Sequence, residues 1–84
     1  NPDQPPGARR LQELRAAIVD RRAACVFREP NFEPTLVQSM VEGTSARTGI
    51  LDPEGVLLPA GTALYFDLLR GIAASLKECL SASN

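Results

Sequence analysis

A chain of 84 residues has room for one domain at most, and at this size only roughly two-thirds of the unfolded surface is buried on folding, so stability is thin without added support. Hydrophobic content of 44% with 23% charged residues argues against disorder, and a net charge of −1 exerts no long-range pull toward nucleic acid or acidic membranes. No apolar run approaches the roughly eighteen residues that span a bilayer, and nothing reads as a signal peptide, so a soluble chain with any export signal removed is expected.

The opening Asn1-Pro2-Asp3-Gln4-Pro5-Pro6-Gly7 reads as extended, because each proline disfavours helix in the residue before it. From Ala8, Leu11, Leu14 and Ile18 recur at three and four residues between Arg and Glu, which predicts an amphipathic helix ending near Arg22. The first thirty residues carry six arginines against four acids, but there is no lysine and only Phe27 could stack on a base. This is the pattern of a solvated helix face, and no nucleic-acid partner is expected.

Ala24 to Arg28 reads as a short buried strand. Asn31 or Glu33 then caps a second helix with Pro34 in its first turn, burying Leu36, Val37, Met40 and Val41 and stopping at Gly43. Thr48 to Leu51 is the second strand. After a loop rich in Pro and Gly, Thr62 is a plausible N-cap for a helix of about twenty residues, reading down Tyr65, Leu68, Leu69, Ile72, Leu76 and Leu80. Gly71 interrupts it, which implies close packing there. The class is α/β, in the order helix, strand, helix, strand, helix. Strands joined by a helical crossover run parallel, so both finish at one edge, with Glu29 and Asp52 near each other at its rim.

That edge is where α/β proteins place their chemistry. An acid/base pair for glycoside hydrolysis also needs an aromatic-lined cleft, and Phe27, Phe32, Tyr65 and Phe66 mostly fall at core spacing. As hard oxygen donors, Glu29 and Asp52 are too few to hold a metal alone. Glu29 also reads as a cap for the following helix. The absence of histidine excludes a Ser-His-Asp set, and Gly43, Gly49 and Gly55 do not match phosphate-loop spacing, so no enzyme activity is expected. Cys25 and Cys79, with no C-x-x-C and no histidine, do not make a tetrahedral zinc site. A disulfide tying the last helix to the sheet is the better use of the pair, against two buried free thiols.

Pro6-Gly7-Ala8-Arg9-Arg10-Leu11 after Asn1-Pro2, Cys25-Val26-Phe27-Arg28-Glu29-Pro30 with Phe32, Gly43-Thr44-Ser45, and Leu51-Asp52-Pro53 together resemble the C-terminal part of the high-affinity zinc-uptake solute-binding proteins. The resemblance spans essentially the whole chain. It implies a fold of two α/β lobes joined by a long helix, with one zinc ion in the cleft between them. Residues 1–84 are then the C-terminal portion of the C-terminal lobe, a single incomplete domain. Cys25 and Cys79 fall where that family places a disulfide. Asp52 matches the acidic position that faces the metal, as a ligand or through a water, while the family's histidine ligands lie outside this chain. Glu54 stands where relatives often have an apolar residue.

The resemblance further implies a periplasmic receptor that captures zinc and delivers it to an inner-membrane ABC permease. Zinc is expected in the full-length protein, and little or none on this chain alone. The alternative is a small disulfide-stapled interaction module without a metal role. Because a two-stranded sheet leaves open edges and an uncovered apolar face, a homodimer through Val26, Phe27, Ile50 and Leu51 with the inner stripe of the first helix is a further expectation.

Overall fold

A computed structural model describes residues 6–82. Its elements are α1 (Pro6–Asp20), β1 (Cys25–Arg28), α2 (Pro34–Val41), β2 (Arg47–Ile50) and α3 (Leu64–Ser81). The expected order and the mixed α/β class are therefore those of the molecule.

Helix α1 begins two residues before the expected Ala8. Pro6 takes the first helical position, where a missing N–H costs nothing and a fixed φ is already helical; the extended reading of Pro6 and Gly7 is corrected on that ground. The rest of that reading, Asn1 to Pro5, lies outside the described residues. The helix closes through a Schellman motif, in which Arg22 N–H donates to Val19 O at 3.2 Å and Ala23 N–H to Ile18 O at 3.1 Å. This closure requires Arg22 to adopt φ 51°, a left-handed conformation that disfavours a side chain. Arg22→Gly should raise stability by about 0.5–1 kcal/mol. The readout is a higher urea midpoint at unchanged slope, and an unchanged or lower midpoint contradicts it.

The strands pair in parallel, with Cys25 opposite Arg47, Val26 opposite Thr48, Phe27 opposite Gly49 and Arg28 opposite Ile50. Arg47 N–H donates to Ala24 O at 2.8 Å and Leu51 N–H to Arg28 O at 2.9 Å, so the ladder's parity turns the main-chain groups of Thr48 and Ile50 to the outer edge of β2. Side-chain alternation puts Cys25, Phe27, Arg47 and Gly49 on one face and Val26, Arg28, Thr48 and Ile50 on the other. The two arginines report what covers each face. Arg47 Nε donates to Cys79 O in α3 at 2.9 Å. Arg28 Nη1 reaches the carbonyls of Glu29, Pro30 and Phe32, in the turn that leads into α2. Helix α3 therefore packs on the first face and α2 on the second, with α1 stacked on α2.

Glu33 occupies the N-cap of α2, but its side chain makes no capping bond; Pro34 at the start of the helix sets the entry instead. The helix ends at Val41 and turns through Gly43 at φ 78°. Arg15 of α1 donates to Ser39 O at 2.6 Å and Met40 O at 3.2 Å, satisfying carbonyls that the end of α2 leaves open. Of its expected inner residues only Val37 is buried; Met40 and Val41 are half-buried and Leu36 is exposed.

Helix α3 starts one turn-residue later than the Thr62 cap implied, with Ala63 at the N-cap position. Leu64, Leu68, Ile72, Leu76 and Cys79 form its inward stripe, rotated from the expected one, so Tyr65, Leu69 and Leu80 face outward. The rotation follows from Cys79, whose bond to β1 fixes the azimuth of the helix. Gly71 has open space where a Cβ would sit, so no close approach explains it. Three of the four aromatic rings, Phe32, Tyr65 and Phe66, are exposed rather than in a core; Tyr65 and Phe66 meet edge to face with centroids 5.6 Å apart.

Among the described residues only Val37 and Cys79 are buried apolar side chains, and no side chain is fully enclosed. The radius of gyration is 15.2 Å, against about 12 Å for a compact chain of this length. A flat body of 50 × 30 × 18 Å has little interior, and its hydrophobic energy is correspondingly modest.

Candidate functional site

The Asp52-Pro53-Glu54-Gly55 sequence carries the residue preferences of a type I turn: Asp first, Pro second and Gly last. The turn forms immediately beyond β2, closed by Gly55 N–H to Asp52 O at 3.1 Å. The chain then curls back over the Asp52 side chain. Val56 N–H donates to Oδ1 at 2.8 Å and Leu57 N–H to Oδ2 at 2.9 Å. Each carboxylate oxygen thus has one backbone donor and a further lone pair available. A carboxylate held this way cannot rotate freely, and its remaining lone pairs offer a hard, negative oxygen donor at the carboxyl ends of the strands.

Gly55 makes this curl possible. It adopts φ 69° and is buried, and a Cβ at that position would meet Leu64 Cδ1 at 3.2 Å and Leu68 Cδ1 at 3.3 Å. The first two turns of α3 therefore press directly on the loop that holds the carboxylate. The following residues, Val56 and Leu57, present exposed apolar side chains beside it.

Both acids expected at the rim lie beyond the same ends of the parallel strands. Asp52 is half-buried and bound by the loop, whereas Glu29 is exposed. Glu29 does not cap α2; its carbonyl accepts Phe32 N–H at 3.0 Å in the turn before that helix. Among the described residues no group of three or more His, Cys, Asp or Glu side chains is placed to hold a metal. The larger cavity, about 530 Å³, runs along the outer edge of β2 and is lined by Val37 and Gln38 of α2, Thr48 and Ile50 of β2, and Ser75 and Glu78 of α3 among others. It does not include Asp52, and neither does a smaller one of about 150 Å³ near the end of α1. The carboxylate sits on the rim beyond the strand ends, half-buried and outside both cavities.

Cys25 and Cys79 are bonded, with Cα atoms 6.3 Å apart and a sequence separation of 54. Cys25 opens β1, so the bridge lies at the strand-start end of the sheet, opposite Asp52. The backbone donors of Val56 and Leu57 and the wedge at Gly55 were not legible from side-chain chemistry; only the D-P-x-G turn pattern signals them.

The family model described as "Zinc-uptake complex component A periplasmic" matches residues 1–79. The chain is 52% identical over 81 residues to the high-affinity zinc uptake system protein ZnuA of Brucella suis biovar 1, covering 96% of this chain and 24% of that protein. It is 42% identical over 78 residues to the protein of the same description from Paracoccus denitrificans, covering 92% of this chain and 24% of that one. With the Yersinia pestis relative it shares 36% identity over 80 residues, covering 95% and 25%. The chain thus spans about a quarter of the length of the curated relatives it matches.

Proposed function

The chain belongs to the family of periplasmic zinc-uptake complex component A proteins, and on that premise we propose that it forms the C-terminal portion of the C-terminal lobe of a periplasmic receptor that captures zinc and hands it to an ABC importer. The observation that carries the reading is the Asp52 carboxylate, fixed on an open rim by two backbone donors and left with unused lone pairs. Zinc is cargo here, and binding and release are the whole of the chemistry, with no bond-making step.

Zinc favours four ligands in tetrahedral array, with imidazole nitrogen and carboxylate oxygen both suitable. This chain has no histidine. In the proposed receptor the imidazoles come from the rest of the polypeptide, and Asp52 faces the ion from this lobe, directly or through a water. A carboxylate already oriented by Val56 and Leu57 N–H needs no reorganisation when the ion arrives, which favours fast capture. Glu29, exposed and outside this loop, has no such role.

The test is Asp52→Ala in the full-length receptor, with zinc affinity measured by competition against a chromophoric chelator. Affinity should fall by at least about tenfold, the usual scale for a group that binds or orients at a metal, while Glu29→Ala leaves it unchanged. An Asp52→Ala receptor with unaltered affinity and unaltered capture rate refutes the assignment.

A further inference from the structure

Helix α3 meets the Asp52 loop at Gly55. Gly55 is buried, sits at φ 69°, and has Leu64 Cδ1 and Leu68 Cδ1 at 3.2 and 3.3 Å from where a Cβ would stand. The next two residues are the two that donate to the carboxylate. We infer that Gly55, wedged under Leu64 and Leu68, is a positioning residue for zinc capture: helix α3 presses on Gly55, and that contact sets the Val56 and Leu57 N–H groups that aim Asp52.

The inference rests on the reading of Asp52 as a zinc-facing group, and adds what fixes its aim. Three geometric facts bear on it. A left-handed φ at Gly55 is needed to bring both following amides onto one carboxylate, and side chains resist that conformation. The space for a side chain is tight, so an added carbon must displace the Leu64 and Leu68 side chains or the loop by a few tenths of an ångström. Both donors lie within two residues of the wedge, so a displacement there cannot bypass them. Gly55 touches no ion and offers no ligand atom; it acts through Asp52.

The experiment is a double-mutant cycle in the full-length receptor. Gly55→Ala should weaken zinc binding about tenfold, the lower end for a residue that orients a metal-facing group. In an Asp52→Ala background the same substitution should change affinity less than twofold, because the group it positions is gone. Hydrogen exchange supplies a readout that needs no zinc: in metal-free Gly55→Ala, the amides of Val56 and Leu57 should exchange faster than in the unaltered protein.

Leu64→Ala approaches the wedge from the helix side without altering the backbone at Gly55. It should reproduce both effects in the same direction, so the inference stays testable if Gly55→Ala fails to fold. Equal weakening by Gly55→Ala with and without Asp52 overturns the inference while leaving the zinc-facing role of Asp52 intact. Unchanged exchange at Val56 and Leu57 in both variants also overturns it. An Asp52→Ala receptor with unaltered zinc binding removes the underlying reading, and is recognised from that single variant alone.

Discussion

Removing the Cys25–Cys79 bond by Cys25→Ser with Cys79→Ser is expected to lower the unfolding free energy by about 4 kcal/mol, from the entropy of the 54-residue loop it closes. The size of the effect matters because the rest of the ledger is small. Val37 and Cys79 are the only buried hydrophobic side chains among the described residues, and single domains hold about 5–15 kcal/mol in all. Helix α3 follows β2 through a long loop, and apart from the disulfide it is held by packing on β2 and Gly55 and by the Arg47 bond to Cys79 O. Urea titration of the oxidised chain against the double serine variant measures the difference. A loss below about 1 kcal/mol contradicts the loop-entropy account. Thiol titration of the unfolded, unreduced chain should find no reactive cysteine, and two per chain would rule out the bridge.

Gly49→Ala should destabilise the chain by about 2 kcal/mol, in the range for overpacking a filled site. A Cβ at Gly49 would lie 2.8 Å from Phe27 Cε1 and 2.9 Å from Cδ1, with Cys79 Cβ at 3.7 Å beyond. The ring of Phe27 lies across its strand neighbour, in the space Gly49 leaves, and beneath the helix that the disulfide fixes. It cannot swing away without disturbing that junction. Equilibrium unfolding of Gly49→Ala, Phe27→Ala and the double variant separates causes. The cost of Gly49→Ala should largely vanish once Phe27 is truncated. Additive losses would show that Gly49 matters through backbone entropy and not through the ring.

The element order was legible because each helix carries a regular apolar repeat and each strand a short β-prone run ended by an acid near a proline. The azimuth of α3 was not. The expected stripe holds Leu68, Ile72 and Leu76, which do face inward, and also Tyr65, Leu69 and Leu80, which do not. Leu64 and Cys79 complete the inward side, a small rotation tied to a bridge whose other end is 54 positions away in sequence. The aromatics misled for a related reason: Phe32, Tyr65 and Phe66 have core-like spacing, but a body 18 Å thin along one axis has little interior, and all three are exposed.

At the rim, Asp52 could be singled out from sequence, together with the turn that follows it. What could not be read is that main-chain donors orient its carboxylate, since every residue but proline carries an N–H and the sequence does not say where it points. The arginines were legible as charges and illegible as ties. Arg15, Arg28 and Arg47 each spend their guanidinium on backbone carbonyls of another segment, joining α1 to α2, β1 to the following turn, and β2 to α3.

The bridge also has an order in time. A nascent chain lengthens at about 5–20 residues per second. Once Cys25 has been synthesised, its partner follows only after the 54 positions that separate them, an interval of about 3–10 s at that rate. During it β1 exists without a tether, and until Arg47 emerges it has no strand to pair with. The thiol of Cys25 therefore meets Cys79 only after both strands have been synthesised, and the bridge is the last of these ties to form.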